Sequence, residues 1–194
     1  MGRPRAFDRD AALDSALTLF WRHGYEATSL AELTRAMGIN PPSLYAAFGD
    51  KRALFTEAVD RYQRLHGYFS VRALDEEPTA RAGIERLLRE AAGIYADPGH
   101  PPGCMIITAA TNCGPQHADV QDEMRGHRET LRRLFTERIA ADVAAGLLPH
   151  DTDPDALGRF YAATMQAMSA QARDGATVEE LDRIATLALR AWPE

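Results

Sequence analysis

The fold is decided by one stretch of the chain, Thr28-Ser-Leu-Ala-Glu-Leu-Thr-Arg-Ala-Met-Gly-Ile-Asn-Pro-Pro-Ser-Leu-Tyr-Ala-Ala-Phe-Gly-Asp-Lys51. Ser29 and the glutamate three residues later match a capping box, so they predict the start of a helix. Gly38 is placed to end that helix after about two turns. Asn40 can cap a second short helix, with Pro41 in the favoured first position. Two short helices joined by a glycine turn predict a helix-turn-helix.

This motif has an apolar core of its own and an exposed face. A preceding helix, capped by Asp8 and ended by Gly24, supplies the third wall of the core. The apolar positions that close it are Leu13, Ala16, Leu17, Phe20, Leu30, Leu33, Met37, Ile39, Leu44 and Phe48. A packed unit of this kind holds its last helix rigidly enough to enter a major groove. The residues predicted to meet bases or phosphates are Pro41, Pro42, Ser43, Tyr45, Ser29 and Lys51.

The same spacing also fits a plain helical hairpin that packs and does nothing else. Tyr45 favours the DNA-binding interpretation, because it directly follows a core leucine and should be largely exposed. An idle packing module has little reason to expose a tyrosine at this position.

Several motifs in residues 8–60 resemble the TetR family of bacterial regulators. They are Ala16-Leu-x-Leu-Phe-x-x-x-Gly-Tyr-Glu-Ala-Thr-Ser-Leu30, Gly38-Ile39, Ser43-Leu-Tyr-x-x-Phe-x-x-Lys51 and Leu54-Phe55. The resemblance implies a homodimeric transcriptional regulator, most often a repressor, whose DNA-binding heads spread apart when a ligand enters the C-terminal domain. Carried over by position, it adds Thr28 to the residues expected to face DNA. The Pro41-Pro42 pair departs from the family, where polar residues are more usual, and this leaves the operator sequence open.

Helical periodicity continues through the rest of the chain, without a convincing alternating strand. A fourth helix is predicted from Asp50 through Leu65, and a Pro- and Gly-rich break at 97–103 precedes a short apolar segment at 104–111. Further helices are predicted at about 84–94, 115–146, 154–173 and 177–192.

These elements predict an all-α fold in two parts. An N-terminal three-helix helix-turn-helix head, residues 1–52, is joined to a C-terminal helical ligand-binding and dimerisation domain, residues 53–194. Residues 1–55 carry seven Arg/Lys against six Asp/Glu, whereas the chain as a whole has a net charge of −6. The acidity therefore belongs to the C-terminal part, and a short basic arm, Met1-Gly-Arg-Pro-Arg5, is free to approach nucleic acid.

Composition excludes several other classes of protein. No apolar stretch approaches the roughly 20 residues that span a bilayer, and the N-terminus lacks the apolar run of a signal peptide. A cytoplasmic protein without a membrane partner is therefore expected. The sequence shows no nucleophile-base pair, glycine-rich phosphate loop or cofactor fingerprint, so neither an enzyme nor a cofactor is expected. A helical protein-interaction module is the remaining rival, and salt-dependent binding to promoter DNA would separate it from a regulator.

A ligand pocket is expected in the C-terminal domain, where aromatic residues and methionines could line it or simply form core. The candidate lining residues are Tyr95, Cys104, Met124, His127, Tyr161 and Met165. The segment Gly103-Cys104-Met-Ile-Ile-Thr108 resembles one in a subset of TetR-like regulators, some of which sense electrophiles, oxidants or metals. The inducer itself, whether a small molecule or a redox signal, is left open.

The two cysteines argue against a disulfide framework. If residues 104–113 were one helix, Cys104 and Cys113 would lie about 13.5 Å apart on opposite faces, too far for an intramolecular bridge. A buried cysteine that acts only as a small hydrophobe is the alternative to a reactive thiol. His100 and His117 flank the same segment, but this spacing follows no familiar zinc pattern, so no metal is expected.

The last two helices are predicted to form a dimer interface. The 154–173 helix is apolar around most of its circumference, so it needs a second partner beyond its own subunit. The residues expected at the interface are Phe160, Ala163, Ala167, Ala170, Leu181, Ile184 and Ala188. A two-fold dimer with two heads would read a roughly palindromic operator in double-stranded DNA.

Overall fold

The computed structural model describes residues 7–193, and every regular element in that range is helical. The helices are α1 (Arg9–His23), α2 (Leu30–Met37), α3 (Pro41–Phe48), α4 (Lys51–Tyr62), α5 (Tyr68–Glu76), α6 (Ala80–Tyr95), α7 (Met105–Thr108), α8 (Ala118–Ala144), α9 (Pro154–Arg173) and α10 (Val178–Leu189). A π-helical turn, Gln63–Gly67, joins α4 to α5, and a 3₁₀ turn, Pro115–His117, precedes α8. The all-α prediction is confirmed. Within the described range no helix has both the length and the apolar character to cross a membrane.

The three helices of the head begin and end at the residues that the sequence indicates. The carboxylate of Asp8 accepts two amides of the first turn of α1. The capping box of Ser29 is formed at the start of α2. Gly38 ends α2 with φ of 66°, a left-handed conformation that glycine adopts at little cost. Asn40 then starts α3 by accepting a first-turn amide at 2.9 Å. Local capping chemistry therefore sets the geometry of the helix-turn-helix.

The fourth helix belongs to the core of the head, although it leads into the C-terminal domain. Phe55 lies edge-on to Phe20 of α1, with ring centroids 5.1 Å apart. The α4 residues buried in this core are Leu54, Phe55, Ala58, Val59 and Tyr62. The boundary placed between residues 52 and 53 thus falls in the first turn of a helix that packs on the head, and it stays a prediction.

The prediction that the fourth helix continues with the same helical pitch through Leu65 is wrong. The helix widens into the π-helical turn 63–67, in which hydrogen bonds span five residues instead of four. Residues in that turn are rotated relative to an α-helical pattern, and the Leu65 side chain is 59% exposed. The apolar periodicity of the sequence carries no signal for this change of pitch.

A second core lies in the C-terminal domain, where α6, α8, α9 and α10 pack together. Its largest buried side chains are Tyr95, Phe135, Tyr161, Ile84 and Leu87. Cys104, just ahead of α7, packs against this core and against the core of the head. The short segment around α7 is therefore the place where the two cores meet.

The helix that follows the Pro- and Gly-rich break is shorter than the sequence suggests. Only Met105–Thr108 are helical, and turns occupy 109–112. The distance expected for a continuous helix from Cys104 to Cys113 therefore does not apply. Both cysteines are free thiols in the structure.

A buried carboxylate, that of Asp142, ties α8 to the start of α6. One oxygen accepts the amide of Ala80 at 2.6 Å, and Arg138 lies 3.3 Å from the other. Asp142→Ala leaves that amide without an acceptor, so we expect the free energy of unfolding to fall by about 2–3 kcal/mol. Chemical denaturation at equal protein concentration measures the loss. The exposed Asp151→Ala is the control, with an expected change below about 0.5 kcal/mol, and equal stability of the two variants would refute the assignment.

Candidate nucleic-acid interface

The outer face of α3 is uncharged and open to solvent. Pro41 and Pro42 are exposed at its first turn, and Tyr45 is 50% exposed one turn later. Ser43 is half-buried beside them. Leu44 and Phe48 point the other way into the head, where they are buried. The structure therefore brings all four residues predicted on α3 to one accessible end of the head.

The start of α2 is exposed as predicted, but its hydroxyl is already engaged. Ser29 Oγ accepts the amide of Glu32 at 3.2 Å and donates to Glu32 Oε2 at 2.7 Å. The hydrogen bonds from the Ser29 hydroxyl and amide hold the pKa of the Glu32 carboxyl below its usual value. This carboxylate stays ionised at the helix N-terminus, so a phosphate approaching there must displace it or share its donors.

The prediction that the Thr28 side chain faces DNA is wrong. Thr28 is 1% exposed, and its hydroxyl donates to the Gly24 carbonyl at 2.6 Å. The side chain closes the turn between α1 and α2 instead of projecting from it. A resemblance by position transfers the place of a residue in the chain, but it does not transfer the direction of a side chain.

Lys51 lies at the edge of the interface and is held against an aromatic ring. Its Nζ sits 4.4 Å from the centroid of the Tyr25 ring and 3.5 Å from the Glu26 carbonyl oxygen. Partial burial lowers the pKa of Lys51, and nearby acidic groups oppose that shift. The cation–π contact fixes the position of this ammonium group at the start of α4.

Two further cations of the head were missed in the sequence. Arg22 and Arg35 are exposed, and within residues 7–193 neither has a carboxylate within 4.0 Å. Arg35 stands in the last turn of α2, immediately before the turn that leads into α3. Its place on the polar face of α2 could have identified it from the sequence as a candidate for phosphate contact. The basic arm at Met1 to Arg5 lies outside the described residues.

A cavity of about 130 Å³ lies in the C-terminal domain beside α7. Four of the six predicted lining residues, Tyr95, Cys104, His127 and Met165, do line it. The other two placements are wrong, because helical rotation turns Met124 and Tyr161 elsewhere. Met124 is buried in the core of the head, and Tyr161 donates from its hydroxyl to the Ala188 carbonyl at 3.3 Å. The missed residues of the wall include Tyr62, Gln63, Phe69, Arg128, Leu131 and Leu134.

Burial governs the chemistry of the cavity thiol. It raises the pKa of Cys104, although hydrogen bonds with Tyr62 and Tyr95 lower that pKa in part. Burial also raises the pKa of both tyrosines well above the usual value, so their hydroxyls stay protonated. The unreactive thiol is therefore the dominant form of Cys104 near neutral pH.

Family models match both parts of the chain. The model described as "Bacterial regulatory proteins, tetR family" matches residues 12–58. A second model, "Tetracyclin repressor-like, C-terminal domain", matches residues 80–188. The chain belongs to the TetR family. Members of this family are non-enzymatic DNA-binding regulators of transcription, so the open face of α3 is the surface to test for DNA contact.

Similar proteins extend this match over the whole chain. The HTH-type transcriptional repressor ComR of Escherichia coli K12 is 37% identical over 194 residues, which are 100% of this chain and 92% of ComR. The repressor BdcR of the same organism is 33% identical over 96% of this chain and 90% of BdcR. A cysteine mutant of the TetR family regulator CifR, complexed with 26 bp double-strand operator DNA, matches with a TM-score of 0.93 and 45% identity. That match covers 99% of this chain and 100% of the CifR chain.

The surface expected to form the dimer interface of this TetR-family chain is only partly as predicted. Phe160, Ala163, Ala167 and Ala170 lie exposed on one face of α9, with Phe160 41% exposed. The placements of Leu181 and Ala188 are wrong, because both are buried within their own subunit. Ile184 is half-buried, and the most exposed large apolar residue of α10 is Leu187, at 61%.

The histidines and cysteines around α7 are dispersed over separate contacts. His100 stacks on Trp21 at 4.4 Å, and His117 lies edge-on to Tyr25 at 5.0 Å between ring centroids. In the part of the chain that the structure describes, no three His, Cys, Asp or Glu residues are grouped so that they could hold a metal ion.

The open face of α3 leads to a test on Tyr45. Tyr45→Ala should weaken binding to promoter DNA by about 1–3 kcal/mol, as expected for loss of a base or phosphate anchor. The fold should persist, because Leu44 and Phe48 carry the core contacts of α3. The measurement is a titration of duplex DNA at fixed salt. Tyr68→Ala, a truncation of a tyrosine that is 62% exposed on α5, should bind as wild type. Identical affinities for the two variants would refute the role of Tyr45.

Proposed function

We propose that this protein is a homodimeric repressor that binds a palindromic operator in double-stranded DNA and leaves it when a signal reaches the C-terminal domain. The observation that carries the proposal is the uncharged, exposed face of α3, held by its caps at the end of a packed head. Two relatives that match nearly the whole chain are named transcriptional repressors. The CifR structure has operator DNA in its complex. Because operators lie on the chromosome, we propose that the protein acts in the bacterial cytoplasm.

The DNA contact would be divided between reading and anchoring. On α3, Tyr45 and the exposed prolines are positioned to touch base edges, and Ser43 lies behind them. Lys51, with its fixed ammonium group, would bind a phosphate. Ser29 would bind one as well if its amide and hydroxyl donors were shared between the phosphate and the Glu32 carboxylate. Phosphate contacts fix orientation on the duplex without reading sequence, so the discrimination between operators would come from α3.

The dimer would form through α9 with help from α10. Phe160 and three exposed alanines make a continuous apolar stripe along α9, and such a stripe is normally covered by a partner. Small alanines let two helix backbones approach closely, while Leu187 adds apolar area from α10. An interface of this kind is shared equally by two identical chains, so the two heads would be related by two-fold symmetry.

The signal would enter at the 130 Å³ cavity. This cavity borders α7. The residue after α7, Ala109, accepts a hydrogen bond through its carbonyl from the amide of Tyr25, in the turn that follows α1. A small molecule that displaced α7 would therefore move the head. The redox alternative places the signal on Cys104 itself. The protonated state of that thiol favours the small-molecule signal over direct oxidation.

The dimer proposal predicts the effect of a charge in the α9 stripe. Ala167→Glu should produce monomers that bind promoter DNA weakly, because it would bury a carboxylate without a partner. Sedimentation at micromolar concentration and a DNA titration measure both effects. The matched control is Ala141→Glu on the exposed side of α8, which should remain dimeric. A stable wild-type monomer, or a dimeric Ala167→Glu variant, would overturn the interface and the palindrome.

The choice between the two signals can be made on Cys104. Because burial raises its pKa, Cys104 should react with iodoacetamide more slowly than free cysteine at about pH 7.5, and faster as the pH rises. Mass spectrometry of the tryptic peptides follows the reaction, and Cys104→Ser identifies the adduct. That variant should still bind DNA. A reaction as fast as that of free cysteine, together with peroxide release of DNA that Cys104→Ser abolishes, would replace the small-molecule signal by the redox one.

A further inference from the structure

A groove between α8 and α9 carries four arginines, and one of them lacks an ionic partner. Three of the four contact carboxylates. The contacts are Arg125 with Asp122 at 2.5 Å, Arg159 with Asp155 at 2.9 Å, and Arg132 with both Glu129 and Asp155. Arg128 has no carboxylate within 4.0 Å anywhere in residues 7–193. It is also the arginine that reaches from the groove into the cavity beside α7.

The guanidinium of Arg128 is half-buried with most of its hydrogen-bonding capacity unused. One of its nitrogens donates to the Ile106 carbonyl at 2.9 Å. A guanidinium has five N–H donors in a rigid fork, so several remain. Partial burial and the neighbouring Arg125 both lower the pKa of Arg128. A cation withdrawn from water without a counter-ion is unfavourable unless something completes the site.

The rest of the cavity wall is suited to an apolar body. Phe69, Ile107, Leu131 and Leu134 line it together with Met165. The volume of 130 Å³ compares with a dry apolar cavity of about 150 Å³ that accommodates benzene. At the polar side, Gln63 and His127 lie 3.3 Å apart and offer further hydrogen-bonding groups.

We propose that this cavity binds a small organic monoanion, whose carboxylate pairs with Arg128 and whose apolar body, about the size of a benzene ring, fills the pocket of aliphatic and aromatic side chains. The inference deepens the proposed function by naming a class of inducer, and it rests on that function only for the consequence of binding. A planar carboxylate can accept two parallel hydrogen bonds from a guanidinium, a geometry that a neutral hydroxyl does not match. Inorganic anions would leave the apolar wall uncovered.

Matched pairs of probes test the class of ligand on the full-length protein. Calorimetric titration would compare benzoate with benzyl alcohol, and hexanoate with hexan-1-ol. We expect at least one carboxylate to bind roughly tenfold or more tightly than its neutral partner, because hydrogen bonds to charged groups are the stronger ones. Equal affinity within both pairs, or no binding of either carboxylate, would overturn the proposal.

Variants at two arginines separate a specific ion pair from the general field of the groove. Arg128→Gln should abolish the preference for the carboxylate, whereas Arg128→Lys should retain part of it as a point charge. Arg125→Gln removes an exposed cation three residues away that does not line the cavity, and it should keep the preference. Circular dichroism confirms that each variant is folded. An equal loss in Arg125→Gln would overturn the proposal in favour of a nonspecific field.

A parallel titration of the DNA complex distinguishes the class of ligand from the effect of the ligand on DNA binding. If the carboxylate binds through Arg128 but does not release promoter DNA, the ligand class stands and the proposed route of induction fails. If the neutral partner releases DNA as well as the carboxylate does, induction through the cavity stands and the ligand class proposed here fails.

Discussion

The orientation of the DNA-binding head relative to the C-terminal domain depends on one close backbone contact at the end of α1. The amide of Tyr25 donates to the Ala109 carbonyl at 2.8 Å, so the turn after α1 is bonded to the residue that follows α7. Gly24 makes this approach possible. Its φ is +81°, and a Cβ at this position would lie 2.9 Å from the same carbonyl oxygen. A side chain there would meet both strain and a clash, so only glycine lets the head sit against α7.

The same short helix is a wall of the cavity. Ile106 and Ile107 face the cavity from α7, and Arg128 holds the Ile106 carbonyl from α8. Cys104, at the start of α7, packs against both cores. A closely packed interior transmits a displacement instead of absorbing it. A ligand that moved α7 by a fraction of an ångström would therefore shift the position of the DNA-binding head relative to the C-terminal domain. In the proposed mechanism, sensing and DNA binding meet in these few residues.

Features that depend on neighbours in the chain could be predicted from the sequence, whereas features that depend on long-range packing could not. The caps at Asp8, Ser29 and Asn40 involve neighbours in the chain, and so the head helices followed from the sequence. Directions of side chains on helices with two apolar faces did not follow. On α10 both Leu181 and Leu187 are apolar, and only the packing of the whole bundle decides that the first is internal and the second exposed. The lining of the cavity was hard to predict for the same reason, because its wall draws residues from six separate helices, α4 to α9.

The paired prolines of α3 constrain how this head can hold DNA. A helix N-terminus ordinarily binds phosphate through its free amides, but Pro41 and Pro42 have none. The next amide, that of Ser43, already donates to Asn40 Oδ1 at 2.9 Å. The start of α3 therefore offers little to an anion, and the helix carries no charged side chain of its own. In the proposed mode of binding, the electrostatic attraction to DNA would therefore come from cations beside α3, such as Lys51 and Arg35. The α3 helix itself would discriminate between bases by apolar contact and by Tyr45, and such contacts suit thymine methyl groups better than guanine edges.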